Sequence, residues 1–265
     1  MIFILCVPNI VGNLKSRKRK MEYNILKETV DGTILYNPND TYVGKSIETY
    51  GRYQLEELKV FDKFVQSGDT VLDIGANIGT HTLWFANKVG PKGSVIAFEP
   101  QRLIFQTLCA NMALNSIKHV DCKQLGVGYS KRLVTVPVLD PLKKNNFGGL
   151  SIDEEYPEGE PVAICRVDDI GLSRCDFIKM DVEGMEPEAL QGAMNTIVKC
   201  RPVLYVELDR EENIHFLQIF LEELRYKADL HSPPLHSPDY KGENVFGEAV
   251  SKNVLAIPQE DGKTN

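Results

Sequence analysis

The chain has 265 residues, of which 43% are hydrophobic and 25% are charged, and its formal net charge is −7. This length and hydrophobic content suffice to bury one sizeable core, so we expect a single folded domain. Acidic and basic residues are interspersed and predict no broad basic face, which argues against duplex nucleic acid as a partner.

The N-terminal segment, residues 1–20, is expected to be a flexible tail that precedes one domain over residues 21–265. Its apolar run Met1–Val7 comes before the basic run Lys15–Lys20. This order is the reverse of a secretory signal, and the apolar run is too short to span a bilayer. A basic run can also contact nucleic acid, a membrane surface or the import machinery of the nucleus, but a solvated tail is favoured.

The six cysteines are scattered and form no C-x-x-C pair. Because most fall in apolar segments, we expect small buried side chains in a reducing compartment, and therefore a cytoplasmic protein. They are Cys6, Cys109, Cys122, Cys165, Cys175 and Cys200.

Residues 21–68 are expected to form a hairpin followed by a helix. Turn signals at Asp31-Gly32 and Asn37–Asp40 predict the hairpin. Apolar residues at helical spacing then predict a helix that ends near Ser67-Gly68. These apolar residues are Leu55, Leu58, Phe61, Phe64 and Val65.

A strand, a glycine turn and a helix are predicted next. Thr70–Ile74 is short, apolar and β-branched, as in a central parallel strand. Gly75 and Gly79 suit a tight turn against a ligand, and the helix that begins near Gly79 would direct its free N–H groups toward that ligand. The pattern Asp73-x-Gly75-x-Asn77-x-Gly79 differs from the G-x-G-x-x-G of dinucleotide sites. The acidic strand end favours a nucleotide cofactor that carries a positive charge.

A second apolar strand, Gly93–Pro100, contains Glu99 near its end. Glu99 follows the glycine turn by about 20 residues, where an acidic side chain accepts hydrogen bonds from ribose hydroxyls. The alternative, that Asp73 and Glu99 are ordinary carboxylates at strand ends, is disfavoured because the pair and the glycines occur together at this separation.

The remaining chain alternates between strands and helices, which predicts an α/β fold with a mostly parallel sheet and helices on both faces. The segment 140–161 is expected to be an inserted loop or hairpin over the site, and residues 69–258 the core of the domain. Arg132–Leu139 and Val162–Val167 flank the segment 140–161. The predicted strands are Val120–Leu125, Phe177–Met180, Val203–Leu208 and Val254–Ile257. The predicted helices lie near Leu103–Leu114, Glu188–Lys199 and Glu212–Tyr226.

The two strand ends resemble those of class I S-adenosylmethionine (SAM) dependent methyltransferases, and a third segment, Asp176–Glu186, is similar to the signature of the FkbM-type family. Glu48–Gly51, Val167–Ile170 and Ser251–Ile257 also fit that family's pattern, so the resemblance covers residues 45–258. It implies a Rossmann-like sheet, SAM as the cofactor, and methyl transfer to a hydroxyl of a sugar or polyketide. The residues expected at the cofactor are Tyr50, Asp73, Gly75, Ala76, Asn77, Gly79, Thr80, Glu99, Pro100, Gly126 and Asp181.

Methyl transfer to a hydroxyl requires in-line alignment and a base that removes the proton. Asp181 and Glu183 follow a predicted buried strand, at the sheet edge where ligands bind, and are the first catalytic candidates. Glu207, at the end of the next strand, is the third. Structural roles remain as alternatives. Asp181 could accept backbone N–H groups near the cofactor, and Glu207 could pair with Lys179 or Arg210.

Two possible metal sites and one base-binding motif are disfavoured, so no bound metal is expected. Hard oxygen ligands for Mg²⁺ could come from Asp168, Asp169, Asp181 and Glu207. His231 and His236 are separated by prolines and do not form a helical metal-binding pair. Ser232–Leu235 is similar to the motif of adenine-N6 methyltransferases but lacks its aromatic residue.

The sequence thus predicts a SAM-dependent O-methyltransferase that acts on a sugar or glycan hydroxyl. Another small-molecule or polyketide hydroxyl is the alternative acceptor. A dinucleotide-dependent oxidoreductase is less favoured, because the third glycine and a Tyr-x-x-x-Lys relay are missing. A non-enzymatic interaction protein is disfavoured, because Asp73, Gly75 and Glu99 are all retained. No nucleic-acid partner and no transmembrane segment are expected.

Overall fold

A computed structural model of the protein describes residues 22–152, 156–208 and 210–259. The predicted tail, residues 1–20, and Cys6 lie outside the described residues. Within those three ranges, no helix is both long enough and apolar enough to cross a membrane.

The described chain contains twelve strands, seven α-helices and one 3₁₀ helix, Val167–Ile170. The strands are β1 (Ile25–Glu28), β2 (Thr33–Tyr36), β3 (Thr70–Ile74), β4 (Ser94–Phe98), β5 (Val120–Lys123), β6 (Gly126–Val127), β7 (Arg132–Val136), β8 (Glu160–Cys165), β9 (Phe177–Met180), β10 (Val203–Glu207), β11 (Tyr226–His231) and β12 (Asn253–Pro258). The helices are α1 (Val43–Tyr50), α2 (Leu55–Phe64), α3 (Thr80–Val89), α4 (Arg102–Leu114), α5 (Glu186–Gly192), α6 (Met194–Cys200) and α7 (Glu212–Glu223).

Seven strands form the central sheet, in the order β11-β12-β10-β9-β3-β4-β5. The five strands from β10 to β5 are parallel, and β12 is antiparallel to both of its neighbours. This arrangement confirms the predicted α/β fold with a mostly parallel sheet. It also brings the carboxyl ends of β3, β4, β9 and β10 to one edge, where ligands bind in open α/β sheets.

Helices cover both faces of the sheet because adjacent strand residues point to opposite sides. On one face, Leu72 and its neighbours pack against α5, α6 and α7. On the other face, Val71 packs in a core with residues of α2 and α3. Both faces of the central strands are therefore buried, which explains their continuous apolar sequences.

Most predicted elements are present, with differences at their ends. The hairpin is β1 and β2, and the first predicted helix ends at Phe64, earlier than Ser67-Gly68. The helix expected near Glu188–Lys199 is divided into α5 and α6 around Ala193.

Three elements were not predicted as such. They are α1, the edge strand β11, and a separate three-stranded sheet in the order β6-β8-β7.

The segment 140–161 is expected to lie over the site. Four residues from its described part border the central cavity, namely Asn146, Gly148, Leu150 and Ile152.

The five cysteines in the described chain have free thiols. Only Cys175 is buried, so the expectation of mostly buried cysteines is wrong. Cys109, Cys122, Cys165 and Cys200 are half-buried.

Candidate functional site

A cavity of about 250 Å³ lies at the carboxyl ends of the central parallel strands. Most of the residues predicted for the site border it. They are Gly75, Ala76, Asn77, Thr80, Glu99, Pro100, Gly126, Asp181, Glu183 and Glu207. Three predicted cofactor residues, Tyr50, Asp73 and Gly79, are not among its lining residues.

Gly75 turns the chain at the end of β3, where its φ is +80°. A Cβ atom at this position would lie 1.7 Å from the backbone oxygen of Asp181. The backbone after β9 thus lies so close to Gly75 that no side chain fits at this position. This is a reason for glycine in addition to the ligand contact that the sequence suggests.

Gly79 caps the start of α3 with a φ of +85°. A Cβ atom there would lie 2.5 Å from Leu108 Cδ1. Close packing against α4 therefore requires glycine at this position, and the contact of Gly79 with the cofactor stays a prediction.

Glu99 is buried, with 4% of its surface exposed, and borders the cavity. Its Oε2 accepts a 3.0 Å hydrogen bond from the backbone N–H of Asn77, and its Oε1 accepts one of 2.9 Å from Gln101. Burial raises the pKa of Glu99 to about 7, although these two N–H groups act in the opposite direction. Since an ionised carboxylate has about four acceptor positions, Glu99 can accept further bonds from ligand hydroxyls.

Asp73 is completely buried and is not among the residues that line the cavity. Its Oδ2 accepts a 2.6 Å hydrogen bond from Thr82 Oγ1, and its Oδ1 lies 3.7 Å from Lys179 Nζ. Burial raises the pKa of Asp73, and the charge of Lys179 offsets part of that effect. The geometry thus gives Asp73 an internal partner in Lys179, and its contact with a charged cofactor stays a prediction.

The sequence suggests Lys179 only as a partner of Glu207, yet Lys179 borders the cavity and is 4% exposed. Its ammonium group donates a 2.8 Å hydrogen bond to the Gly75 oxygen and lies 3.3 Å from Asp181 Oδ2. Burial alone would lower the pKa of Lys179, but the carboxylates of Asp181, Asp73 and Glu57 outweigh burial and raise it. The sequence signal was a lysine inside a strand that is otherwise apolar.

The three predicted catalytic carboxylates meet at the rim of the cavity. One oxygen of each of Asp181, Glu183 and Glu207 lies within 4.8 Å of the other two. Burial would raise the pKa of Asp181, but the charge of Lys179 and a hydrogen bond with Glu207 outweigh it and lower that pKa. Asp181 is therefore ionised at neutral pH.

Glu183 adopts a left-handed backbone conformation, with a φ of 54°. Its backbone oxygen accepts hydrogen bonds from Ser151 Oγ at 2.8 Å and from Arg210 at 2.9 Å. Such strained conformations are enriched at functional sites, because surrounding contacts must hold them in place.

Asp168 and Asp169, two of the four carboxylates considered for Mg²⁺, do not join this cluster. Asp168 accepts backbone hydrogen bonds from Asn195 and Thr196 at the start of α6. Asp169 pairs with Lys131. The four carboxylates of the disfavoured Mg²⁺ set therefore do not come together, because Asp168 stabilises a helix end and Asp169 lies in a separate ion pair.

His81 and Glu57 were missed by sequence reasoning and form a polar layer next to the cavity. His81 borders the cavity, and its Nε2 lies 3.9 Å from Glu57 Oε2 without a hydrogen-bond partner among the described residues. Burial lowers the pKa of His81 to about 3, so the ring is neutral. Glu57 accepts hydrogen bonds from Ser251 and Asn253, and burial raises its pKa to about 7.

The known protein family that matches is the methyltransferase FkbM domain, whose family model covers residues 73–228. The chain belongs to the FkbM methyltransferase family. This confirms the resemblance seen in the sequence, and with it SAM as the cofactor. The FkbM match includes the loops after β3, β4, β9 and β10, but not α1, α2 or the segment after β11.

Two curated relatives are themselves named as methyltransferases. Methyltransferase sdnD from Sordaria araneosa is 31% identical over 166 residues, which cover 48% of this chain and 61% of that protein. Methyltransferase 1 from Beauveria bassiana (strain ARSEF 2860) is 25% identical over 193 residues, covering 64% of this chain and 77% of that protein. This FkbM chain thus aligns with less than two thirds of the sdnD length.

A solved structure supports the fold. The precorrin-6y C5,15-methyltransferase from Geobacter metallireducens GS-15 aligns with a TM-score of 0.51 and 15% identity, covering 78% of this chain and 88% of that one. The FkbM chain therefore has the fold of class I methyltransferases.

Proposed function

We propose that this FkbM-family protein transfers a methyl group from SAM to a hydroxyl group of a sugar or glycan. The observation that carries the proposal is the cluster of Asp181, Glu183 and Glu207 at the rim of the cavity that also holds Glu99. Carboxylates accept hydrogen bonds from hydroxyls and can remove their protons. Several carboxylates together suit an acceptor with neighbouring hydroxyls, as sugars have.

The cavity residues fit the cofactor. Glu99 has acceptor positions for ribose hydroxyls, and the turn from Gly75 to Asn77 forms the adjacent wall. When bound, SAM supplies a methyl group on a positively charged sulfur. Asp181, held in its ionised form by Lys179, provides negative charge that favours a cation in this cavity.

We assign different roles to the rim carboxylates. The lowered pKa of Asp181 makes it a weak base, because an effective catalytic base has a pKa near the working pH. Asp181 therefore orients the acceptor hydroxyl through a hydrogen bond. Glu183, on its strained turn at the same rim, is our first assignment for the base, and Glu207 is the second.

The charge of the cavity argues against nucleic acid as the acceptor. Its ionisable lining contains the carboxylates of Glu99, Asp181, Glu183 and Glu207 but only one lysine or arginine, Lys179. Such a cavity disfavours a phosphate backbone, which requires positive neighbours.

The free thiols of the described chain fit the cytoplasmic location that we also propose.

The test has two steps. Calorimetry first compares SAM with NAD, and tight binding of NAD alone would contradict the cofactor assignment. The protein is then incubated with methyl-tritiated SAM and separate panels of glycosides, polyketide alcohols and amines. We expect label on glycoside hydroxyls. Labelling confined to another panel would overturn the sugar acceptor while leaving methyl transfer intact.

A further inference from the structure

Gln54 lies at the start of α2 in a left-handed backbone conformation, with φ 51° and ψ 53°. It is 5% exposed, and its side-chain Oε1 has no hydrogen-bond partner among the described residues. A buried amide oxygen without a partner is costly, and so is a non-glycine residue in this conformation. Both features indicate a position kept for contact with a ligand.

Gln54 separates two cavities. It borders the central cavity and also a second one of about 170 Å³, and Leu235 borders both as well. A water molecule requires roughly 10 to 15 Å³ by the same kind of measure, so the second cavity can hold a group much larger than one water. The two cavities together offer adjoining spaces for one extended ligand.

The lining of the second cavity is mostly apolar, with Val30, Leu55 and Leu235, and its polar groups are close to neutral overall. Arg52 borders it, but its guanidinium forms two 2.7 Å hydrogen bonds with the carboxylate of Asp31. Ser46, Ser237 and the ring of Tyr50 add hydroxyl groups and an aromatic face. A neutral group with both hydroxyls and apolar C–H surface matches such a lining, as amphipathic side chains do at binding sites.

Tyr50, which the sequence predicts at the cofactor, borders the second cavity and not the central one. Its hydroxyl accepts a 3.1 Å hydrogen bond from the backbone of Val245, and its ring contacts Tyr240 with centroids 4.9 Å apart. The ring is thereby held in place at the second cavity by the segment that precedes β12.

We propose that the second cavity binds the sugar unit next to the one that is methylated, and that the Gln54 amide binds a hydroxyl of the acceptor between the two cavities. This inference rests on the proposed glycan acceptor. Gln54 and Leu235 both lie outside residues 73–228, the part matched by the methyltransferase family, which fits a role in acceptor choice and not in cofactor binding.

The experiment compares methyl monosaccharides with the corresponding methyl disaccharides as acceptors, using methyl-tritiated SAM. For the natural sequence we expect a lower KM for the disaccharide. Gln54→Met keeps the side-chain length but removes the amide, and it should raise the disaccharide KM about tenfold without changing the SAM dissociation constant. Ser237→Trp, which fills the second cavity, should bring the disaccharide KM up to that of the monosaccharide.

A matched control variant tests whether the loss of an amide elsewhere on the protein changes either KM. Gln66→Met makes the same change at an exposed position just after α2 and should leave both KM values unaltered. If Gln54→Met does not fold, Gln54→Gly replaces it, because glycine also removes the amide and adopts the left-handed conformation without strain.

Unchanged KM values in the folded Gln54 variant, or a weaker SAM affinity, would overturn this inference and leave the proposed function standing. If the natural protein binds SAM but methylates no glycoside, the proposed acceptor fails and this inference fails with it.

Discussion

Lys179 and Asp181 form an ion pair at the end of β9, with 3.3 Å between Nζ and Oδ2. The same ammonium group lies 3.7 Å from Asp73 Oδ1, on the interior side. One buried cation therefore connects a carboxylate at the cavity rim with a carboxylate that is completely buried. The charge state of the rim and the stability of the sheet depend on the same residue.

Replacing Lys179 with methionine should destabilise the fold by about 3 to 5 kcal/mol, because it leaves the buried Asp73 without its cation. Urea unfolding measures this change. Lys227→Met is the control, since Lys227 pairs with Asp229 in an exposed position and should show no measurable change. Adding Asp73→Asn to Lys179→Met should recover part of the loss. A loss of less than about 1 kcal/mol in the single variant would contradict the role given to Lys179.

The central part of the fold could be predicted from the sequence because its strands are buried on both faces. β3 and β9 carry local patterns that are strong enough to identify them without tertiary information. β11 is mostly exposed and pairs only with β12, so its sequence has no strong strand pattern of its own. Edge strands of this kind are determined by tertiary pairing more than by propensity.

The sequence could predict those residues of the site that lie at the ends of strands. Glu99, Asp181 and Glu207 each follow or end a parallel strand, and such ends share one edge of the sheet. Side-chain direction could not be read from spacing. Asp73 therefore matched the motif although its carboxylate is completely buried next to Lys179. Gln54 was missed because its importance arises only from its buried position at the border of two cavities.

Gly75→Ala should destabilise the protein by at least about 2 kcal/mol, because the new Cβ atom overlaps the Asp181 carbonyl and the φ of +80° disfavours a side chain. Thermal unfolding provides the measurement. Gly68→Ala has a similar φ of +91° but no atom within 4 Å of its Cβ, so it reports the backbone cost alone. Equal losses in the two variants would show that the contact with Asp181 is unimportant.

SAM affinity should increase as the pH rises through about 7, and Glu99 is the reason. Its pKa is about 7 without ligand, and hydrogen bonds from ribose hydroxyls favour the ionised form. Binding therefore releases a proton at low pH, and the dissociation constant should fall by up to roughly tenfold per pH unit below 7 and level off above it.

Calorimetric titrations from pH 5.5 to 8.5 test this dependence. Glu99→Gln should bind SAM at least about tenfold more weakly at pH 8, with no rise in affinity through pH 7. Glu57→Gln is the matched control, because burial also raises the pKa of Glu57 to about 7 although it does not border the cavity. If Glu57→Gln alone abolished the pH dependence, the assignment of Glu99 to the ribose would be wrong.

The last prediction separates the base from the orienting carboxylate at the rim. Glu183→Gln should keep the SAM affinity but lose about 10²- to 10⁴-fold in single-turnover rate, the usual contribution of a general base. Asp181→Asn should raise the acceptor KM as well as lower the rate, because it removes a hydrogen-bond acceptor and leaves Lys179 with one fewer partner. Glu212→Gln, at an exposed position on α7, controls for the loss of one negative charge.

A near-normal rate in Glu183→Gln together with a large loss of rate in Glu207→Gln would assign the base to Glu207. Near-normal rates in both would mean that alignment of the hydroxyl with the methyl group is sufficient for transfer.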